Sequence, residues 1–169
     1  MLLIADLNHA FDPVTENYYG RLNVIDGNPI LGEKETRYQP DTYTDIWQRI
    51  FPTHDYPLAL AESAITLYEI TGEESYKKAI YRWVEIILRE IEQKKYVTSY
   101  AECYGRCIHF LDRAGKVLNN EEFKEKACNF ARVVINLLFD KGMFKSHPYN
   151  NLYNSLDGVG FLLLSLLNL

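Results

Sequence analysis

Three short stretches hold the side chains that could do chemistry: "FPTHDYPLALAES" (51–63), "KYVTSYAECYGR" (95–106) and "YNNLYNSLDGVG" (149–160). Each gathers hydroxyl, carboxylate and aromatic groups just ahead of apolar sequence. Their carboxylates Asp55, Glu102 and Asp157 suit acid–base work wherever two of them face one cavity. One would protonate a leaving oxygen while the other assists a water. Around them His54, Tyr56, Tyr100, Arg106, Tyr153 and Asn154 offer hydrogen bonds and ring faces for a polar substrate. Glu62 is either a further cavity residue or a paired buried one.

Several of these side chains have local uses as well. Asp55, Ser99 and Ser155 suit helix N-caps. Glu102 and Arg106 stand at i and i+4 in the favourable order for an ion pair on a helix surface. His54 divides between loop packing and ligand contact, and His147 reads as loop. Tyr68, Tyr76, Trp83 and Phe123 lie on helical stripes and read as core.

Other chemistries find no support. The chain has no phosphate loop, no GxSxG elbow, no HExxH and no paired CxxC. Cys103 and Cys107 share a helix face, but His109 points roughly 160° away from Cys107, which argues against a metal site. No metal and no cofactor are expected. Three cysteines without an export signal favour reduced thiols and a cytoplasmic location. The net charge of −5, dispersed along 169 residues, argues against nucleic acid and against an anionic membrane surface. No stretch reaches the roughly 18 apolar residues of a membrane span.

The elements that must position the candidates are mainly helical. Residues 1–52 read as a strand and loop excursion packed on the helices, with two short strands of "YYGRLNVIDGNPI" about Asp26–Gly27. From 53 to 169 the apolar spacing predicts α-hairpin repeats. Helices are expected over about 56–71, 74–93, 99–114, 121–139 and 155–168, with Gly72 and Gly115 as stops. "LYEITGEESYKKAIYRWVEIIL" and "FLDRAGKVLNNEEFKEKACNFARVVINLL" share one layout. Aligning Gly72 with Gly115 gives a period of 43 residues, whereas aligning Tyr76 with Phe123 gives 47, as if the second copy held four extra turn residues. Stacked helical hairpins bring equivalent helix ends to one rim. The three polar stretches precede the odd-numbered helices, so their groups are expected to converge there, beside free amides and positive dipole ends. The last helix, "GVGFLLLSLLNL", is apolar almost all round, and any exposed part would favour a homo-oligomer.

"YPLALAESAITLYEITGEESYKKAIYRWVEII", "SYAECYGRCIHFLDRAGKVLNNEEF" and "YNSLDGVGFLLLSLLNL" together resemble the six-hairpin glycosidase-like superfamily of α/α toroids. The resemblance covers about residues 47–169, and "FDPVTENYYGRLNVIDGNPI" is similar to the excursions such proteins insert between hairpins. It implies part of an (α/α) toroid that binds a saccharide or uronic-acid-type molecule at its inner-helix rim, glycoside-hydrolysing if active. His54, Asp55, Tyr100, Glu102, Arg106 and Asp157 are the rim positions it implies. A complete ring needs more helices than the five read here, so the chain resembles the closing part of a toroid, either truncated or completed by copies or partners. The alternative is a non-catalytic helical-repeat interaction module. A sugar epimerase ranks last, because it needs two histidines in one cavity and only His54 and His109 are candidates.

Overall fold

The computed structural model describes residues 9–33, 36, 39–48, 58–151, 153 and 158–169. They fall into two compact units, one within Met1–Ile86 and one within Ile87–Leu169. The fold is mainly helical, with a short antiparallel β-hairpin near the N-terminus. No helix among the described residues is long and apolar enough to cross a membrane.

In the first unit β1 (Phe11–Asp12) pairs with β2 (Asn17–Tyr18), Phe11 opposite Tyr18. Asp12 makes the turn. Its carboxylate accepts from the Val14 amide and the Thr15 hydroxyl, both at 2.9 Å, and from the Tyr43 phenol at 2.8 Å. These donors, led by the Val14 amide, hold the Asp12 carboxyl down at about 2. The segment about Asp26–Gly27 corrects the expectation of two strands. It is a tight turn closed by one bridge, Leu22 to Pro29, and the strands lie earlier in the chain. Helix α1 (Leu58–Thr71) buries Leu58, Ala61, Ala64 and Ile65. It ends where expected, at Gly72 with φ +68°, whose amide bonds the Tyr68 carbonyl at 2.8 Å. Helix α2 (Glu74–Glu92) follows at once, and its Trp83 stacks on Tyr18.

In the second unit a 3₁₀ turn (Lys95–Thr98) leads into α3 (Ala101–Val117), then α4 (Glu121–Leu138). A two-strand hairpin follows, β3 (Phe139–Asp140) with β4 (Met143–Phe144), and then α5 (Val159–Leu167). Helix α3 is central: α4 packs on it and so does α5, which is why it buries residues around most of its circumference.

Gly115 does not stop α3; the helix runs through it. A Cβ there would lie 3.0 Å from the Lys124 amide and the Asn120 carbonyl, so the glycine serves the close approach of α4's first turn. The stop is Asn119, left-handed at φ +52°, with its amide on the Lys116 carbonyl and the Asn120 amide on the Gly115 carbonyl at 2.8 Å. Asn120 then caps α4 through the Glu122 and Phe123 amides.

This correction makes the repeat regular. Gly72 corresponds to Asn119, Glu74 to Glu121 and Tyr76 to Phe123, all at 47 residues, and no extra turn residues remain. The ion pair Lys77–Glu74 recurs as Lys124–Glu121. Buried Ile80, Trp83, Val84 and Ile87 recur as Ala127, Phe130, Ala131 and Val134. Leu58, Ala61, Ala64 and Ile65 recur as Gly105, Ile108, Leu111 and Asp112, again all buried.

Candidate functional site

The start of α3 is the best-defined of the three nominated helix mouths. His54, Asp55, Tyr56, Asn154, Ser155 and Asp157 lie outside the described residues. Tyr100, Glu102, Arg106 and Tyr153 are described, all within the second unit, and each is held by a different set of partners.

Tyr100 occupies the N-cap position of α3 without a side-chain cap bond, so Ser99 is not the cap the sequence suggests. The leading amide of α3, that of Ala101, bonds the carbonyl of Ser146 at 2.8 Å. That amide is therefore satisfied by protein and does not face a ligand. Ser99 instead gives its own amide to the Tyr104 phenol, and that phenol donates to the Tyr96 carbonyl. Tyr104 is fully buried, which pushes its phenol above the ordinary tyrosine range. The 3₁₀ turn is thereby pinned to α3.

Ser146 arrives there because of β3 and β4. Lys141 and Gly142, both at positive φ, form a two-residue turn, and the Lys145 amide returns to the Leu138 carbonyl at 2.9 Å. Lys145 also bridges to Tyr153, whose phenol donates to Asp140 at 2.8 Å. That bond lowers the Asp140 carboxyl and raises the Tyr153 phenol. Tyr153 is thus engaged in holding this hairpin.

The next residues carry a feature that sequence reading passed over as loop. In "SHPYN" the Asn150 amide bonds the His147 carbonyl at 3.1 Å, a β-turn with Pro148 at its second position. The His147 ring sits 4.9 Å from the Tyr100 ring and 5.9 Å from the Tyr149 ring, between centroids. Both its nitrogens are engaged: Nε2 with the Thr98 carbonyl at 2.9 Å, and Nδ1 with the Tyr149 amide at 3.2 Å. Tyr149 itself is 72% exposed. Three aromatic rings therefore line the mouth of α3, and the outermost faces solvent. The Pro148 turn was the readable signal; its contact with Thr98 was not.

Glu102 and Arg106 are brought together, as their spacing predicts. The guanidinium meets Glu102 Oε1 at 3.1 and 3.2 Å. It also lies 4.7 Å from the centroid of the Phe161 ring on α5, against which His109 packs edge-on. Gly158 approaches α3 so closely that a Cβ there would stand 2.7 Å from Glu102 Cα. Cys103 and Cys107 are buried thiols, neither of them in a disulfide. The described residues contain no group of three or more His, Cys, Asp or Glu side chains placed to hold a metal ion. Comparison with known protein families, with curated proteins and with solved structures finds no match.

Proposed function

We propose that this chain is a saccharide-binding protein of the six-hairpin type, its helical hairpins forming part of an α/α toroid. The observation that carries this reading is the ring cluster Tyr100–His147–Tyr149 at the start of α3. A sugar ring offers an apolar C–H face and a hydroxyl rim. The exposed Tyr149 ring face matches the first, and its hydroxyl can bond the second. The regular 47-residue repeat supports the hairpin architecture, because it places Asp55 at the same repeat position as Glu102. Cysteines outside any disulfide fit a reducing cytoplasm.

Binding, which the ring cluster supports, is taken as the primary activity. Hydrolysis needs two carboxylates flanking the scissile bond. Of the nominated carboxylates, Glu62 lies on α1 and Glu102 on α3, where Glu102 Oε1 accepts the Arg106 guanidinium; Asp55 and Asp157 lie outside the described residues. Calorimetric titration with neutral and uronate-containing oligosaccharides tests the reading. Tyr149→Ala is expected to weaken binding about tenfold, the worth of one ring stack. The fold should be unaffected, since the side chain is exposed. Absence of binding by every oligosaccharide, or equal binding by the variant, would overturn it. Reducing ends released during the same incubation would add hydrolysis to binding.

A second reading, self-association with another copy, is favoured by α5. Its Val159 and Leu162 are buried, whereas Leu164 is 62% and Leu167 82% exposed. Adjacent exposed leucines mark an association surface. Light scattering should then give at least twice the chain mass, falling to one chain for the pair Leu164→Glu and Leu167→Glu. A monomeric wild type would dismiss this reading.

A further inference from the structure

We propose that His147 is a proton-operated pin that holds the Pro148 turn, and with it Tyr149, against the start of α3 only while its imidazole is neutral. The two contacts of the ring fix its tautomer. The Thr98 carbonyl can only accept, so Nε2 carries the hydrogen; the Tyr149 amide can only donate, so Nδ1 is the bare acceptor. One ring thus joins segments 49 residues apart in the chain, and neither nitrogen can change role without losing a bond.

A second proton has one place to go, Nδ1. There it would set an N–H against the N–H of Tyr149. The bond to the Thr98 carbonyl survives, and the bond to the turn is lost. The pin is therefore closed while the ring is neutral and opens when the ring takes up that second proton. The described groups around the ring are aromatic or paired elsewhere. Tyr100 and Tyr149 present neutral rings. On the neighbouring elements Lys95 is paired with Glu90, Glu102 with Arg106, and Lys145 with Asp140. None of these carboxylates makes a hydrogen bond or ion pair with the imidazole among the described residues.

The consequence for ligand rests on the saccharide reading: Tyr149 is the exposed ring of the platform, so acid would loosen the platform and weaken binding. The pin itself is tested without any saccharide. In ¹⁵N spectra of the whole chain, the neutral His147 ring should show Nδ1 unprotonated and Nε2 protonated. As pH is lowered, the Tyr149 amide should shift in step with protonation of the His147 ring. His147→Asn keeps an acceptor for the Tyr149 amide but cannot titrate, so this amide should stop responding to pH. The opposite tautomer, or a Tyr149 amide that ignores the His147 titration, would overturn the proposal. Where saccharide binds, its affinity should fall about three- to tenfold as the ring protonates in the wild type, the worth of one hydrogen bond, and stay level in the variant. Failure of every saccharide to bind would remove the platform reading, while the ¹⁵N experiment would still decide the pin.

Discussion

Trp83→Ala is expected to cost about 3–5 kcal/mol, the range for removing a large buried aromatic ring. The side chain is almost fully buried. Its plane lies within 2° of the Tyr18 ring at a centroid distance of 4.4 Å. Tyr18 is equally buried and takes Phe11 on its edge at 5.3 Å, and the Arg82 guanidinium covers Phe11 at 3.9 Å. Truncation therefore removes the surface that the N-terminal hairpin stacks on, as well as leaving a cavity. A chain of this size should lose roughly 6–20 °C in Tm. Trp83→Phe keeps a stacking face and should recover a large part of the loss. Thermal unfolding followed by near-ultraviolet circular dichroism checks both variants. A cost below about 1 kcal/mol for the alanine variant would mean that the stack contributes little.

The second large effect is expected at Gly158, the residue ahead of α5. Its φ of +84° lies in the region that L side chains avoid, at roughly 1–2 kcal/mol. A Cβ there would also stand 2.7 Å from Glu102 Cα and 2.8 Å from the Glu102 amide nitrogen, atoms of α3 backbone that cannot turn aside. Overpacking of this kind costs about 1–3 kcal/mol more. Gly158→Ala should therefore lower stability by about 2–5 kcal/mol and push α5 away from α3. The Arg106–Phe161 contact is the local reporter, because it joins the two helices one turn from Gly158. Gly160 supplies the control. It lies inside α5 with open space around it, so Gly160→Ala should be neutral or stabilise by up to about 1 kcal/mol. Equal behaviour of the two alanine variants in denaturant titration would show that the close approach at Glu102 is unimportant.

The helices were readable because their apolar spacing is strong and their ends carry chemical signals. α2 and α4 begin and end within a residue of the expected positions. Gly115 misled because glycine has two uses, a left-handed stop and a place for close approach, and a sequence does not say which neighbour will come near. Asn119, the true stop, has the weaker signal of the two residue types. The β3–β4 hairpin was missed for a different reason. "FDKGMF" puts a two-residue turn between two-residue strands, too short for alternation to show. The site was legible in part. The Glu102–Arg106 pair follows from spacing along one helix. The role of His147 depends on Thr98, and contacts between distant segments leave no mark on local pattern.

The two copies of the repeat fill equivalent core positions from different sources, and this sets how their folding is divided. Phe130 packs edge-on with Tyr96, from the turn leading into its own hairpin, and with Tyr104, from that hairpin's first helix. Trp83, at the matching position, meets Tyr18 from the far N-terminal region. Closing the chain between Tyr96 and Phe130 spans 34 residues, whereas closing it between Tyr18 and Trp83 spans 65. Nearly doubling the span adds only about 0.6 kcal/mol of closure entropy, so equilibrium stability barely distinguishes the copies. Order of assembly is another matter, because rates follow the sequence separation of contacts. The second hairpin can gather its aromatic core locally and early, while the first must wait for the N-terminal segment to return.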